Sequence, residues 1–320
     1  MEVFFLTIDV MLMMFLLIIA GFLVQRAKIL PEGSDTTLAR LETYILVPAL
    51  NFYTWSSNCT VDTLKGNANL ILWGAAIVAV AVGGGYLLCR FYIPNTESAE
   101  LAYQRNIYKY AMTFSNFGFM GNFIVLGIWG SEGLFKFSMF TLAMSFVTAT
   151  WGIYVLVPKT NKPSFGTMVK NFFSPPTIAL LLGCLVGIFN LKPYIPDFIM
   201  RAASNAGDCM GPVSMVLAGF VIGSYKFKEL ITKKKIYVAT FFRLILIPAI
   251  FVLVLRALHA SEEIITWVLM AYATPLGLNT IVYPATYGGD TKTGASMALI
   301  SHTLSVITIP IMYYIFLVLL

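Results

Sequence analysis

The chain is short of charge. Only 11% of its 320 residues are Asp, Glu, Lys or Arg, where a soluble domain carries about 25%. It has two histidines, and its four cysteines (Cys59, Cys89, Cys184, Cys209) form no C-x-x-C pair and no metal-ligand spacing. No cofactor or metal is therefore expected. There is no G-x-x-x-x-G-K-[S/T] loop and no G-x-S-x-G elbow, which argues against ATP drive and serine hydrolase chemistry. The first apolar run opens Met-Glu with no basic stretch and no small-residue cleavage site, so it is not expected to be a secretory signal. The net charge of +6 is not read as a nucleic-acid footprint, and nucleic acid is not an expected partner.

Apolar residues are abundant, at 58%, with a mean hydropathy of +0.82. A membrane-crossing helix needs roughly 20 such residues. By that rule about ten stretches qualify: 4–24, 37–55, 69–92, 108–129, 133–157, 176–189, 198–224, 236–258, 264–287 and 291–320. They do not alternate in polarity as β-barrel strands would. The expectation is an all-α polytopic integral membrane protein with no soluble domain left over. Connections after odd-numbered spans hold 15 of the 21 basic residues and the opposite side holds 5, with Arg243 inside a span. The positive-inside rule then places odd-numbered connections in the cytoplasm and both termini outside. Asn58-Cys59-Thr60 is a glycosylation sequon on the expected outer side.

The two halves echo each other. "GFLV" at Gly21 returns as "GCLV" at Gly183, each followed by Pro31 or Pro196 and then by Pro48 or Pro212. "FGFMGNFIVLGIWGSE" from Phe117 runs parallel to "LGLNTIVYPATYGGDT" from Leu276. Residues 1–157 and 176–320 would be two five-span repeats joined by a short cytoplasmic linker, 158–175. Because five is odd, the second repeat must enter the membrane inverted, an arrangement found in secondary transporters.

Spans four and nine, matched across the halves, are interrupted. Span four contains Asn116, Gly118, Gly121 and Asn122; span nine contains Pro275, Gly277, Asn279, Thr280 and Pro284. A proline has no N–H and frees a carbonyl one turn back. Glycine permits non-helical backbone and close approach. Broken backbone at membrane depth is tolerated where it lines protein or water, and a half-helix beginning at a break points N–H groups and a positive dipole end into it. These eight residues (Pro284 aside) are the expected substrate site, suited to a small carboxylate. The competing reading is that small and polar residues only join helices.

Ionisable residues within spans are functional candidates by default. Asp208 and Arg243 stand out; they could form a structural pair, or Arg243 could attract an anion and Asp208 carry a proton. His302, beside Ser301 and Thr303, is either a proton or substrate residue or a hydrogen-bonded packing residue. Asp9 and Glu42 are expected at the interfaces. Gly83, Gly84 and Gly85 are expected to permit close helix contact.

"NFGFMG" with its "WGSEG" turn, and "TPLGLNTIVYPATYGGDTKTGASMALISHTLSVITIP", resemble the auxin efflux carrier family, which includes bacterial organic-acid permeases and the plant PIN-FORMED exporters. The resemblance spans the whole chain. It implies a fold like the sodium/proton antiporters, in which two broken helices cross near the midplane. There, asparagines and helix ends would hold a substrate carboxylate. It also implies a scaffold of spans one, two, six and seven that forms homodimers, and a moving unit made of the rest. Asn116, Pro275 and Gly277 match the family's break positions. Where the plant exporters carry prolines, this chain has Phe123 and Thr280. No adjacent Asp-Asp pair is present, which disfavours dedicated cation exchange. The expected activity is elevator-type transport of a small organic anion. A sodium-coupled symporter and a non-transporting membrane sensor are the alternatives.

Overall fold

The computed structural model describes residues 2–31, 33–93, 98–158, 164, 166, 173–287 and 289–320. Most of the expected 158–175 linker lies outside them, with Lys159, Lys162 and Lys170. The described residues are helical, with no strand beyond one isolated bridge. In chain order the helices are α1 (Glu2–Arg26) and α2 (Ser34–Leu41, a π turn Glu42–Leu46, then Val47–Asn58). Next come α3 (Ala68–Tyr92), α4 (Ala99–Thr113) and α5 (Asn122–Val147), the last entered through a π turn at Phe117–Gly121. They are followed by α6 (Pro175–Ile188), α7 (Asp197–Asp208) and α8 (Met210–Gly223). The chain closes with α9 (Lys234–Phe241, a π turn Phe242–Leu246, then Ile247–Ala257), α10 (Glu262–Tyr272), α11 (Asn279–Tyr287) and α12 (Lys292–Tyr314). Among the described residues, six helical segments are long and apolar enough to cross a membrane.

One of the six runs 40 residues, Phe117–Leu156. It is bent at Gly130, whose φ of 64° and ψ of −163° leave helical space. That is a backbone state open to glycine at little cost. The bend falls where the sequence separates spans four and five.

Helix pairing follows the small residues. α1 lies along α8, and α2 along α6. A Cβ on Gly21 would sit 2.1 Å from the Val216 carbonyl oxygen, and one on Gly183 would sit 2.7 Å from that of Phe52. Both are backbone-to-backbone contacts that any side chain would prevent. The α3 glycines divide differently from expectation. Gly85 meets Thr113 on α4, whereas a Cβ on Gly83 or Gly84 would meet nothing. Those two lie off the helix contact.

The π turns of α2 and α9 each precede a proline, Pro48 and Pro248. A proline ring crowds the carbonyl one turn back, and widening the helix there relieves the clash. Each turn carries a buried charged residue, Glu42 and Arg243. Glu42, near the inner end of the second span, is packed inside the protein at 1% exposed, and its Oε1 has no hydrogen-bond partner.

Candidate functional site

The two interruptions are real and they touch. α4 ends at Thr113, and Phe114 is extended (φ −118°, ψ 140°). α10 ends at Tyr272, and helix resumes at Asn279. Between them Ser115 and Leu276 form an antiparallel bridge. The Asn116 N–H donates to the Pro275 carbonyl at 2.8 Å. Pro275 cannot supply the N–H that would close the helix on the Ala271 carbonyl. The Ser115 hydroxyl fills that place by donating to the same oxygen. Gly277 suits the crossing, since a Cβ there would lie 3.0 Å from the Ser115 carbonyl oxygen, a tight approach that the facing backbone would have to yield to.

α12 ties both breaks with consecutive residues. The Leu276 N–H donates to Ser301 Oγ at 3.1 Å. His302 Nε2 lies 3.2 Å from Asn116 Nδ2, and His302 Nδ1 lies 2.8 Å from the Ala298 carbonyl. A carbonyl can only accept, so Nδ1 carries the ring proton. Nε2 then offers its lone pair, and the Asn116 amide donates to it. On the other side the Asn279 amide donates to the Tyr110 hydroxyl at 2.9 Å. Thr280 donates to the Gly277 carbonyl at 2.8 Å, turning the chain into α11.

Four helix ends therefore meet at the crossing. Two are C-terminal, α4 at Thr113 and α10 at Tyr272, and each carries about half a negative charge. Arg243, from the α9 π turn packed between α4 and α12, sits against both. Its Nη1 reaches the Thr113 carbonyl at 3.5 Å, and its guanidinium lies 5.0 Å from the Tyr272 ring centroid. It is fully buried, and Nε and Nη2 have no hydrogen-bond partner. No carboxylate pairs with it among the described residues. The Asp208–Arg243 pairing considered from the sequence is not formed. Asp208 ends α7 on an exposed face, whereas the π turn directs Arg243 into the crossing. The other two helix ends are N-terminal, the π turn following Asn116 and the start of α11 at Asn279. They carry the complementary positive half-charges.

The chain belongs to the membrane transport protein family, the auxin efflux carriers. The family's profile matches residues 6–313, nearly the whole chain. Among its relatives, "Uncharacterized transporter MJ1031" of Methanocaldococcus jannaschii is 25% identical over 94% of this chain and 96% of its own length. "Uncharacterized transporter YfdV" of Escherichia coli is 26% identical over 62% of this chain and 64% of its own. A transporter of Methanothermobacter thermautotrophicus is 22% identical over 67% of each chain. The protein is accordingly a membrane transport protein and not an enzyme.

For a member of this family the expected site residues are unevenly placed. Asn116, Pro275, Gly277, Thr280 and His302 meet at the crossing, and Asn279 and Arg243 join it through Tyr110, Thr113 and Tyr272. Gly121 packs under the Phe137 ring. Gly118 admits no close neighbour; a Cβ there would meet open space. Asn122 begins α5, half-buried. Phe123, set against a proline in the resemblance to the plant exporters, stays helical and lays its ring against Gly211 of α8; the break lies upstream at 114–116. Ser115 and Tyr110 escaped sequence reading. Ser115 was recoverable, since Pro275 announces an unpaired Ala271 carbonyl that something must satisfy.

Ser115, Asn116 and His302 are 3%, 2% and 1% exposed, so the crossing is closed to solvent in this conformation. A separate pocket of about 360 Å³ opens at the Gly130 bend and the start of α10. It is lined by Trp129, Glu132, Lys136, Glu263 and Trp267, with Lys136 3.2 Å from Glu263 and 3.8 Å from Glu132. The Asn58 side chain donates to the Thr54 and Ser131 carbonyls, which ties down the sequon amide.

Proposed function

We propose that the protein carries a small organic anion, a carboxylate, bound where the two broken segments cross. The observation that carries this reading is the charge balance of the four helix ends. Arg243 answers the two negative ends, and the two positive ends are left for a ligand. About half a charge at each fits one carboxylate group. The Asn116 and Asn279 side chains flank those ends, and an amide turned toward the ligand supplies a neutral donor without the cost of burying a second cation.

The helix pairing supports an inverted repeat of two five-span units within ten spans. α1 and α2 of the first unit pack on α8 and α6 of the second, so each unit's first span meets the other's second. Gly21 and Gly183, aligned between the halves, are close-contact points of the two pairs. In this reading α1, α2, α6, α7 and α8 are a dimer-forming scaffold. The remaining helices move across it by an elevator-type alternation, with Phe123 against Gly211 at the sliding face. In this reading the chain lies in the plasma membrane, and the excess of basic residues on the odd-numbered connections supports both termini outside.

Purified protein screened by thermal shift against malate, malonate, oxalate, lactate and indole-3-acetate tests the reading. A carboxylate that binds raises the unfolding midpoint by mass action. Asn116→Ala and Asn279→Ala should abolish that rise while folding normally. Full transport by both variants in proteoliposomes would overturn the assignment.

A further inference from the structure

We propose that the carrier moves a proton together with its anion, and that the side-chain pair His302–Asn116 is the device that joins them. This rests on the anion reading above and adds the coupling ion.

The neutral arrangement is self-consistent in only one way. His302 spends its one ring proton on the Ala298 carbonyl, so Nε2 must accept. Asn116 presents its NH₂ to Nε2, which leaves the carboxamide oxygen on the side away from the ring. That oxygen repels a carboxylate. A proton arriving at Nε2 makes it a donor, and two donors would then face each other across 3.2 Å. The contact is restored by turning the carboxamide over, so that Oδ1 accepts from Nε2–H and the NH₂ points away from His302. The turned amide donates to an anion, and the imidazolium adds a positive charge beside it. Each arrangement satisfies all its partners, and neither accepts the other's amide orientation. This is a bistable element biased by one proton.

The surrounding charges strengthen the link. On the helices packed against α12, Asp9 of α1 and Lys234 and Lys235 of α9 are exposed. Lys109 of α4 is directed to Asn106 and the Tyr86 ring, and Arg105 to the Ile93 carbonyl. Arg256 of α9 binds Glu262 and the Phe316 carbonyl. Glu229 and Lys292 pair with each other, and α8 has no ionisable residue. Tyr110 is taken by Asn279. Arg243 is thus the fully buried charge in this set. Its field opposes a second cation at His302 until an anion offsets it. Proton and anion each favour the other's binding by the same factor, as linkage requires. His302 is closed to solvent here, so both ions would enter and leave when the crossing opens to one side.

The test is calorimetric binding of lactate and indole-3-acetate to the purified full-length protein near neutral pH, in buffers of differing ionisation heat. Both acids are ionised there, so any proton taken up goes to the protein. Wild type should take up close to one proton per anion near the midpoint of the linkage, with affinity rising about tenfold per pH unit on acidification. His302→Gln should take up none. Anion binding by wild type without proton uptake overturns the coupling and leaves the carrier reading standing. Uptake that persists in His302→Gln overturns the assignment to this residue. No binding of any panel acid to wild type overturns both. The wild-type measurement decides the first point even if the variant fails to fold.

Discussion

Arg243→Gln should separate stability from function. Burying a guanidinium costs several kcal/mol. Here the return comes from the Tyr272 ring at 5.0 Å, worth up to about 2 kcal/mol when desolvated, and from two helix C-termini at up to about 2 kcal/mol each. The 3.5 Å contact to the Thr113 carbonyl is at the edge of bonding range and adds little. Cost and return nearly cancel. Removing the charge also strands no carboxylate, unlike the usual loss of one partner from a buried pair. The unfolding midpoint of the ligand-free protein should therefore change by no more than about 1–2 kcal/mol of stability, in either direction, well short of the ~3–5 kcal/mol of an orphaned ion. Affinity is another matter. At an effective dielectric constant of about 20, a unit charge ~4–7 Å from a carboxylate contributes about 2–4 kcal/mol. The variant should bind the best panel acid roughly fifty- to a thousandfold more weakly. Arg243→Lys keeps the charge but not the planar fork and should fall between. Thermal-shift titration reads both quantities in one series. Affinity retained within about threefold of wild type, or a variant that does not fold in detergent, would refute the reasoning.

Three further outcomes are expected. Ser115→Ala leaves the Ala271 carbonyl with only the long 3.4 Å contact from Thr274, and should lower stability by about 1–2 kcal/mol; an unchanged midpoint would mean the crossing does not depend on that bond. Cys59 and Cys184, 3.5 Å apart between α2 and α6, should form a disulfide under mild oxidation, detectable by peptide mass spectrometry. Because both helices belong to the proposed scaffold, the oxidised protein should still transport, and loss of transport would count against a rigid scaffold. Lys292 holds the Glu229 carboxyl below the usual carboxylate range, so this contact persists on acidification through the ordinary carboxylate range (about 4–5) and is lost only as pH falls through the lowered value. Hydrogen exchange of residues 227–231 should loosen only then, and loosening already at about pH 6 would contradict the pairing.

The interrupted spans were legible because proline and glycine act locally: Pro275 and Gly277 mark a break whatever surrounds them. Asn116 and Asn279 were legible because amides at membrane depth need a reason. What could not be read were facing directions. Glu42, at the start of the α2 π turn, is buried, and Arg243, within the α9 π turn, meets two helix ends instead of Asp208; a π turn breaks the regular helical repeat from which facing is read. Phe123 stands where the plant exporters carry proline, yet the chain leaves helix earlier, at Phe114, where Ser115 bridges to Leu276 and its hydroxyl donates to the Ala271 carbonyl. Glycine spacing was a weak guide for the same reason. Gly85 touches α4 while its neighbours Gly83 and Gly84 touch nothing, and only tertiary packing decides which face is used.

The ties that hold the first break, to α10 and to α12, have a consequence for how the chain is made. Ser115 reaches its acceptor 156 residues later, and Asn116 reaches His302 186 residues later. In synthesis order, the first broken segment enters the bilayer long before either partner exists. Its polar groups must wait unpaired in a medium that offers no substitute, and non-local contacts of this kind form late. The insertion machinery therefore has to shelter residues 114–116 until the last helix arrives. Expression yield should be governed by substitutions at Ser301 and His302 as strongly as by those at the first break itself.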